Sequence, residues 1–223
     1  MPNESMLDSA SSRAKSYCFL ASIYLKAPTK ELISEFLRER PLSTESQGMK
    51  KLNEFLSQNR LKSAERLEEV LATEHLRLFG GVTHGYGPPP PYESVWRGEG
   101  RVMGATTVEV LRAYANAGVE PATQTTEPPD HIGLELGYLS RLCGKEADAR
   151  RSGDVDGTAK YLQMEHEFLR DHIEKWVPDF CQKIAENDRT GFYRAIAVLT
   201  SEFLLADAGT IEESLQKCDR QSR

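Results

Sequence analysis

Residues 127–143, EPPDHIGLELGYLSRLC, decide how the rest of the chain reads. Pro128 and Pro129 hold the backbone extended up to Asp130, a residue type suited to accept the free amides of a helix start. From there Ile132, Leu136, Leu139 and Cys143 recur at helical spacing, with no alternation of the kind a strand needs. The stretch therefore predicts an extended entry, a cap at Asp130 and a helix with an apolar side. His131 and Glu135 stand one turn apart at the edge of that side, close enough to hydrogen-bond.

The same period runs through both flanks. Upstream, Tyr17, Cys18, Ala21, Tyr24 and Leu25 form a stripe ended by Pro28, and Leu32, Ile33, Phe36 and Leu37 form another ended by Pro41. Met49, Leu52, Phe55 and Leu56 continue the pattern. Ser63 then predicts an N-cap for a helix whose face is Leu67, Val70, Leu71 and Leu78. Downstream, Tyr161, Leu162, Phe168, Leu169, Ile173 and Trp176 mark one long helix, after which Pro178 forces a bend or a fresh start. Phe180, Cys181 and Ile184, then Phe192, Ile196, Leu199 and Phe203, complete a bundle predicted to end at Gly209. The expected fold is all-α, a single-domain helical bundle across residues 1–223.

Two segments break the helical pattern. Between Gly80 and Gly104 the glycines and the run Pro88 to Pro91 exclude a regular helix, because proline lacks the amide donor and glycine loses backbone entropy. A loop longer than about 12–15 residues is uncommon in a compact domain and often functional. Val108, Leu111, Tyr114 and Ala115 then predict a short helix ended at Gly118, and the proline-bearing connection Pro121 to Pro129 is the candidate hinge. On this reading an N-terminal helical part covers about 8–118, the hinge about 119–129, and a C-terminal helical part about 130–218.

Composition narrows the class. With 223 residues, 39% hydrophobic, 28% charged and a mean hydropathy of −0.51, the chain has the profile of a water-soluble protein with a substantial core. A net charge of −6 disfavours nucleic acid and anionic lipid and mildly favours a basic peptide. Met1 to Lys15 lacks the basic-then-apolar order of an export signal, so the cytoplasm is the expected location. Cys18, Cys143, Cys181 and Cys218 lie far apart with no Cys-x-x-Cys pair, against a zinc site or a disulfide framework. None of the five histidines follows a glutamate by three residues, as a di-iron bundle requires, and His166 and His172 fall on different sides of a helix. Both read as solvated or core-edge positions. There is no phosphate loop and no nucleophile elbow.

Three stretches carry more than a generic bundle needs. Glu74-His75-Leu76-Arg77-Leu78-Phe79 reads first as a helix terminus with Leu78 and Phe79 buried. In Pro90-Pro91-Tyr92-Glu93-Ser94-Val95-Trp96 the prolines either hold Tyr92 and Trp96 as rigid aromatic anchors or let them pack back onto the bundle. The third is Glu127 to Leu136, where a cap plus a satisfied histidine is the plainer alternative to a binding role.

In this order the three stretches resemble the TorD/DmsD/NarJ family of redox enzyme maturation proteins. Members carry Glu-Tyr-x-x-Leu-Phe, then a proline-containing stretch ending in Tyr-Glu-Ser-Val-aromatic, then Glu-Pro-x-Asp-His-x-x-x-Glu-Leu. Phe168-Leu169 through His172, Trp176, Pro178 and Phe180 also resembles the family's C-terminal helices, so the likeness spans about residues 14–205. His75 departs from the family's usual tyrosine. The resemblance implies a non-enzymatic chaperone without a cofactor or metal of its own, weak GTP binding being known in parts of the family. It implies a client, the twin-arginine leader or apo form of a molybdopterin-dependent oxidoreductase, and a monomer or a dimer that exchanges C-terminal helices. Leu78, Phe79, Tyr92 and Trp96 are then expected to line an apolar groove, with Pro91 and Ser94 also among the client-binding positions. Glu93, Asp130 and Glu135 are expected to supply charge and His131 to act with Asp130. Glu74, His75, Glu127 and Pro128 are motif positions without an assigned role. The competing readings are a permanent structural subunit of a redox complex, and a nucleotide hydrolase using Asp130, His131 and Glu135. Asp130 and His131 are expected to matter more for function than for folding.

Overall fold

The computed structural model describes residues 4–38, 46–80, 90–99, 102–119 and 126–221. Among them it contains ten α-helices and one 3₁₀ turn, and no strand. In chain order the helices are α1 (Glu4–Leu25), α2 (Lys30–Arg38), α3 (Gln47–Asn59), α4 (Ala64–Phe79), α5 (Glu93–Trp96), α6 (Ala105–Asn116), α7 (Ile132–Ser152), α8 (Val155–Asp171), α9 (Val177–Asn187) and α10 (Phe192–Gln221), with the 3₁₀ turn at Ile173–Lys175. The all-α expectation holds. No helix among the described residues is long and apolar enough to cross a membrane. Most of the predicted hinge, residues 120–125, and Pro88 and Pro89 of the predicted loop lie outside the described residues.

The chain divides into two compact units. The first comprises Met1–Ser22, Tyr92–Trp176 and Leu204–Arg223. Its core is the hairpin of α7 and α8, where Ile132, Leu136, Leu139, Leu142, Leu162 and Phe168 are buried. The two helices join through Gly153, whose φ of 74° is left-handed and favours glycine, followed by Asp154, whose carboxylate accepts the Gly157 amide at 2.8 Å. At its centre Arg13 of α1 donates to Glu146 of α7 at 2.7 Å, to Glu165 of α8 and to Asp207 of α10. The Tyr17 hydroxyl donates to Asp207 at 2.6 Å.

The second unit comprises Ile23–Pro91 and Val177–Phe203. Leu52, Phe55, Leu67, Leu71, Phe180, Phe192 and Tyr193 form its core. Ser63 caps α4 as its position predicts, accepting the Arg66 amide at 3.3 Å. Ser46 caps α3 in the same way. Gly48 allows close helix packing: a Cβ there would sit 2.6 Å from the Leu199 backbone nitrogen.

Two element ends and one loop differ from expectation. α10 runs through Gly209 to Gln221, because buried Ile211 and Ser214 outweigh the roughly 1 kcal/mol that a helical glycine costs. α8 stops at Asp171 and gives way to the 3₁₀ turn, so Trp176 is not part of the long helix. Inside the predicted proline-rich loop, Glu93–Trp96 forms a single helical turn. Pro178 is the second residue of α9, where a missing amide donor costs nothing.

Candidate functional site

The one-turn helix α5 is too short to hold itself, and its free amides are met from elsewhere in the chain. The Asp130 carbonyl accepts the Glu93 amide at 2.9 Å, and the Asp130 carboxylate accepts the Ser94 amide at 3.0 Å. Asp130 therefore caps α5, and not the helix it precedes. His131 caps α7 instead, its Nδ1 accepting the Gly133 amide at 3.0 Å, which corrects the expected cap. The physical reason is that the same extended backbone that ends at Asp130 pairs with Tyr92: Tyr92 and His131 form an antiparallel bridge, which turns the Asp130 side chain toward α5.

Around this junction the motif residues are stitched together. The Tyr92 hydroxyl donates to Glu127 at 2.7 Å, and its ring meets His131 edge-on with centroids 5.4 Å apart. Burial, then the bond to Glu127, raises the Tyr92 hydroxyl above the usual phenol range. The Tyr114 hydroxyl of α6 donates to the Pro129 carbonyl at 2.9 Å, and the Pro128 carbonyl accepts the His131 amide at 3.0 Å.

Glu93, Ser94, Asp130 and Glu135 are all at 0% exposure. One Glu93 oxygen accepts from Arg97 at 3.1 Å and the other from His172 Nδ1 at 2.9 Å. Glu135 accepts the Trp176 indole N–H at 3.2 Å. Burial, then the nearby charges of Glu93 and Asp130, holds Glu135 protonated well above the usual carboxylate range. Where the one-turn spacing suggested a bond between His131 and Glu135, His131 accepts the Gly133 amide and Glu135 the Trp176 indole N–H.

The site residues expected from the sequence thus separate. Pro91 is buried and ends the first stretch of the second unit, while Tyr92, Glu93, Ser94, Trp96, Glu127, Pro128, Asp130, His131 and Glu135 belong to the first. Within the first unit, Tyr92 and Trp96 at the two ends of α5 are half-exposed, whereas the three acids lie wholly inside. Trp96 stands 6.3 Å from Trp176, ring centre to ring centre. Glu74, His75, Leu78 and Phe79 belong to the second unit. Leu78 and Phe79 are core residues there, with Phe79 against Tyr24, Phe180 and Tyr193. Glu74 accepts a two-point bond from Arg77 and the Arg189 amide at 2.7 Å. His75, the departure from the family pattern, donates a ring N–H to the Tyr24 carbonyl at 3.2 Å, and burial lowers its basicity.

His172 and Arg97 are the site residues that sequence reasoning passed over. His172, expected at a solvated or core-edge position, is 8% exposed and is the partner of Glu93, 79 positions away. Its signal in the sequence is the Phe168 to Trp176 stretch, which resembles the family's C-terminal helices. Among the described residues no group of His, Cys, Asp and Glu is arranged to hold a metal ion.

The family model for the nitrate reductase delta subunit matches residues 39–182. The chain is 26% identical over 217 residues to the chaperone protein TorD of Vibrio cholerae O395, covering 92% of this chain and 94% of that one. It is 24% identical over 205 residues to the chaperone protein TorD of Vibrio vulnificus YJ016, covering 88% and 93%. A crystal structure from Archaeoglobus fulgidus, described as a redox enzyme maturation protein, is 21% identical and aligns with a TM-score of 0.45 over 83% of this chain and 90% of that one.

Proposed function

This chain belongs to the nitrate reductase delta subunit family, and from that premise we propose that it is a chaperone for a molybdopterin-dependent oxidoreductase. It binds the enzyme's twin-arginine leader or its apo form in the cytoplasm, holds it back from export and keeps it ready for cofactor insertion. It performs no chemistry and needs no cofactor of its own. The reading draws on the TorD relatives, whose name describes them as chaperones.

The observation that carries it is the pinning of α5. Asp130 fixes the turn by two hydrogen bonds while Glu93 and Ser94 face inward, so Tyr92 and Trp96 stay half-exposed on a rigid support. Aromatic side chains displayed this way lose little entropy on binding and supply large contact area. Asp130, His131, Glu93 and Glu135 act as positioning residues beneath that surface.

The experiment is co-purification on the tagged chain, with mass spectrometry of the partner, followed by the same capture with Trp96→Ala. An oxidoreductase precursor with its leader intact, bound at less than one per chain and lost at least roughly tenfold in the variant, is the expected result. Permanent one-to-one association with mature, cofactor-loaded enzyme would identify a structural subunit instead. Unchanged capture by a folded Trp96→Ala protein would return the α5 aromatics to simple packing.

A further inference from the structure

The buried cluster around Arg13 does not balance its charge. Three carboxyl groups, Glu146 of α7, Glu165 of α8 and Asp207 of α10, lie at 1%, 0% and 3% exposure, and two guanidinium groups, Arg13 of α1 and Arg150 of α7, reach them. All five side chains belong to the first unit. The other titratable groups facing the cluster are Tyr17 of α1 and Tyr138 and Cys143 of α7. Burial pushes both phenols and the thiol up, so they stay uncharged through neutral pH. With every acid ionised, one negative charge is left over where an unpaired charge is costly.

The hydrogen bonds single out the least supported carboxyl. Glu146 has both oxygens engaged, Oε2 by Arg13 at 2.7 Å and Oε1 by Arg150 at 2.6 Å. Asp207 does too: Oδ1 accepts from Arg13 Nε, and Oδ2 accepts from the Tyr17 hydroxyl at 2.6 Å and from Arg13 Nη2 at 3.2 Å. Glu165 accepts from Arg13 Nη2 through Oε2 alone, and its buried Oε1 has no hydrogen-bond partner among the described residues. A buried carboxylate oxygen without a donor has lost its water and gained nothing in return, whereas a proton there removes the surplus charge. Burial, partly opposed by Arg13, raises the Glu165 carboxyl in the same sense, up to about 8.

We infer that a proton on Glu165 fastens α8 to α1, α7 and α10, and that this fastening weakens as pH rises through neutrality. In an opened or unfolded segment a glutamate ionises near about pH 4.3. The closed state keeps the Glu165 proton up to about pH 8. Between those limits closing takes up a proton, so closure loses favour as pH rises. Above about pH 8 both states are ionised and the dependence levels off. The steep part of the response therefore includes neutral pH, and the clasp acts as a pH-sensitive device within the first unit.

Glu165→Gln keeps the shape of the side chain and removes its titration. The test is native-state hydrogen exchange of the α8 amides in the full chain, parent against variant at equal pH, so that the intrinsic pH dependence of exchange cancels. Glu135 titrates in both proteins and drops out of the same ratio. The opening of the parent relative to the variant rises roughly tenfold from about pH 6 to about pH 7 and stops rising above about pH 8. A ratio equal at the two lower pH values means that Glu165 is ionised in the closed state, and the inference falls. Glu146→Gln is the control: it removes a carboxylate paired on both oxygens and loses protection without that pH trend. The same trend in Glu146→Gln would move the proton to Glu146 and overturn the assignment. If Glu165→Gln does not fold, carboxyl carbon NMR of the parent decides alone. Glu165 then inflects near about pH 8, and an inflection below about pH 6 overturns the inference.

Discussion

Around Arg13 three buried carboxylates, Glu146, Glu165 and Asp207, converge on one guanidinium that is itself 6% exposed. Around Asp130 three buried carboxylates, Glu93, Asp130 and Glu135, meet no guanidinium of comparable burial among the described residues: Arg97 reaches Glu93 from a side chain 35% exposed. Both clusters lie in the same compact unit, yet they answer the cost of burying charge in opposite ways. The first uses guanidinium groups, Arg13 at its centre and Arg150 on Glu146 at 2.6 Å, and burial, partly opposed by Arg13, still pushes the Glu165 carboxyl up to about 8. The second spreads the task over backbone amides, an imidazole, an indole and a proton kept on Glu135. A central cation ties α1, α7, α8 and α10 together and serves the fold. Dispersed donors fix the position of one turn, α5, and serve whatever that turn presents.

The sharpest way to break the comparison is to remove the central cation. Arg13→Met leaves Glu165 and Asp207 without a cation while Glu146 keeps Arg150, and stability falls by about 3–5 kcal/mol in chemical denaturation. A loss below about 1 kcal/mol would mean that the acids relax to solvent and the cluster is not central. The second cluster has no such keystone, so Asp130→Ala costs less, about 1–3 kcal/mol, mainly by orphaning the Ser94 amide. Its larger effect is on client capture, since α5 is no longer held; equal melting and equal capture in parent and variant would remove Asp130 from both roles.

The smallest effect sharpens the contrast through pH. At about pH 5, Glu135→Gln changes stability by less than about 1 kcal/mol, because the amide replaces a carboxyl that is already neutral. The unfolded chain ionises a glutamate near about pH 4.3, whereas the folded chain keeps the Glu135 proton to higher pH. In between, the folded state binds more protons, so this carboxyl lowers stability as pH rises. Glutamine does not titrate, and the variant gains on the parent between about pH 5 and pH 8. Melting curves whose difference stays flat over that window would show that Glu135 is ionised in the folded protein.

Much of this was legible one segment at a time. The helical period located α1 to α4 and α6 to α10, and Ser63 and Gly118 marked element ends, because those signals depend on neighbours within a few residues. The motif order brought Tyr92 to Trp96 and Glu127 to Glu135 into view as a site. What stayed hidden needed partners far along the chain. Nothing in the neighbourhood of His172 in the chain points to Glu93, and Glu93, expected to supply charge, is fully buried. Leu78 and Phe79 were expected in a groove and are core residues of the other unit.

The sequence by itself determined that residues 127–143 are an extended entry followed by a helix, since proline geometry and apolar spacing are local properties. It also determined that a free helix start would need an acceptor near Asp130. Which helix receives that acceptor was decided only by tertiary structure. Asp130 is one residue before His131, and either can satisfy α7; α5 is a single turn with no side-chain cap of its own. Once the Tyr92–His131 bridge brings the two segments together, the unmet amides of Glu93 and Ser94 are the costlier ones to leave buried, and Asp130 turns to them.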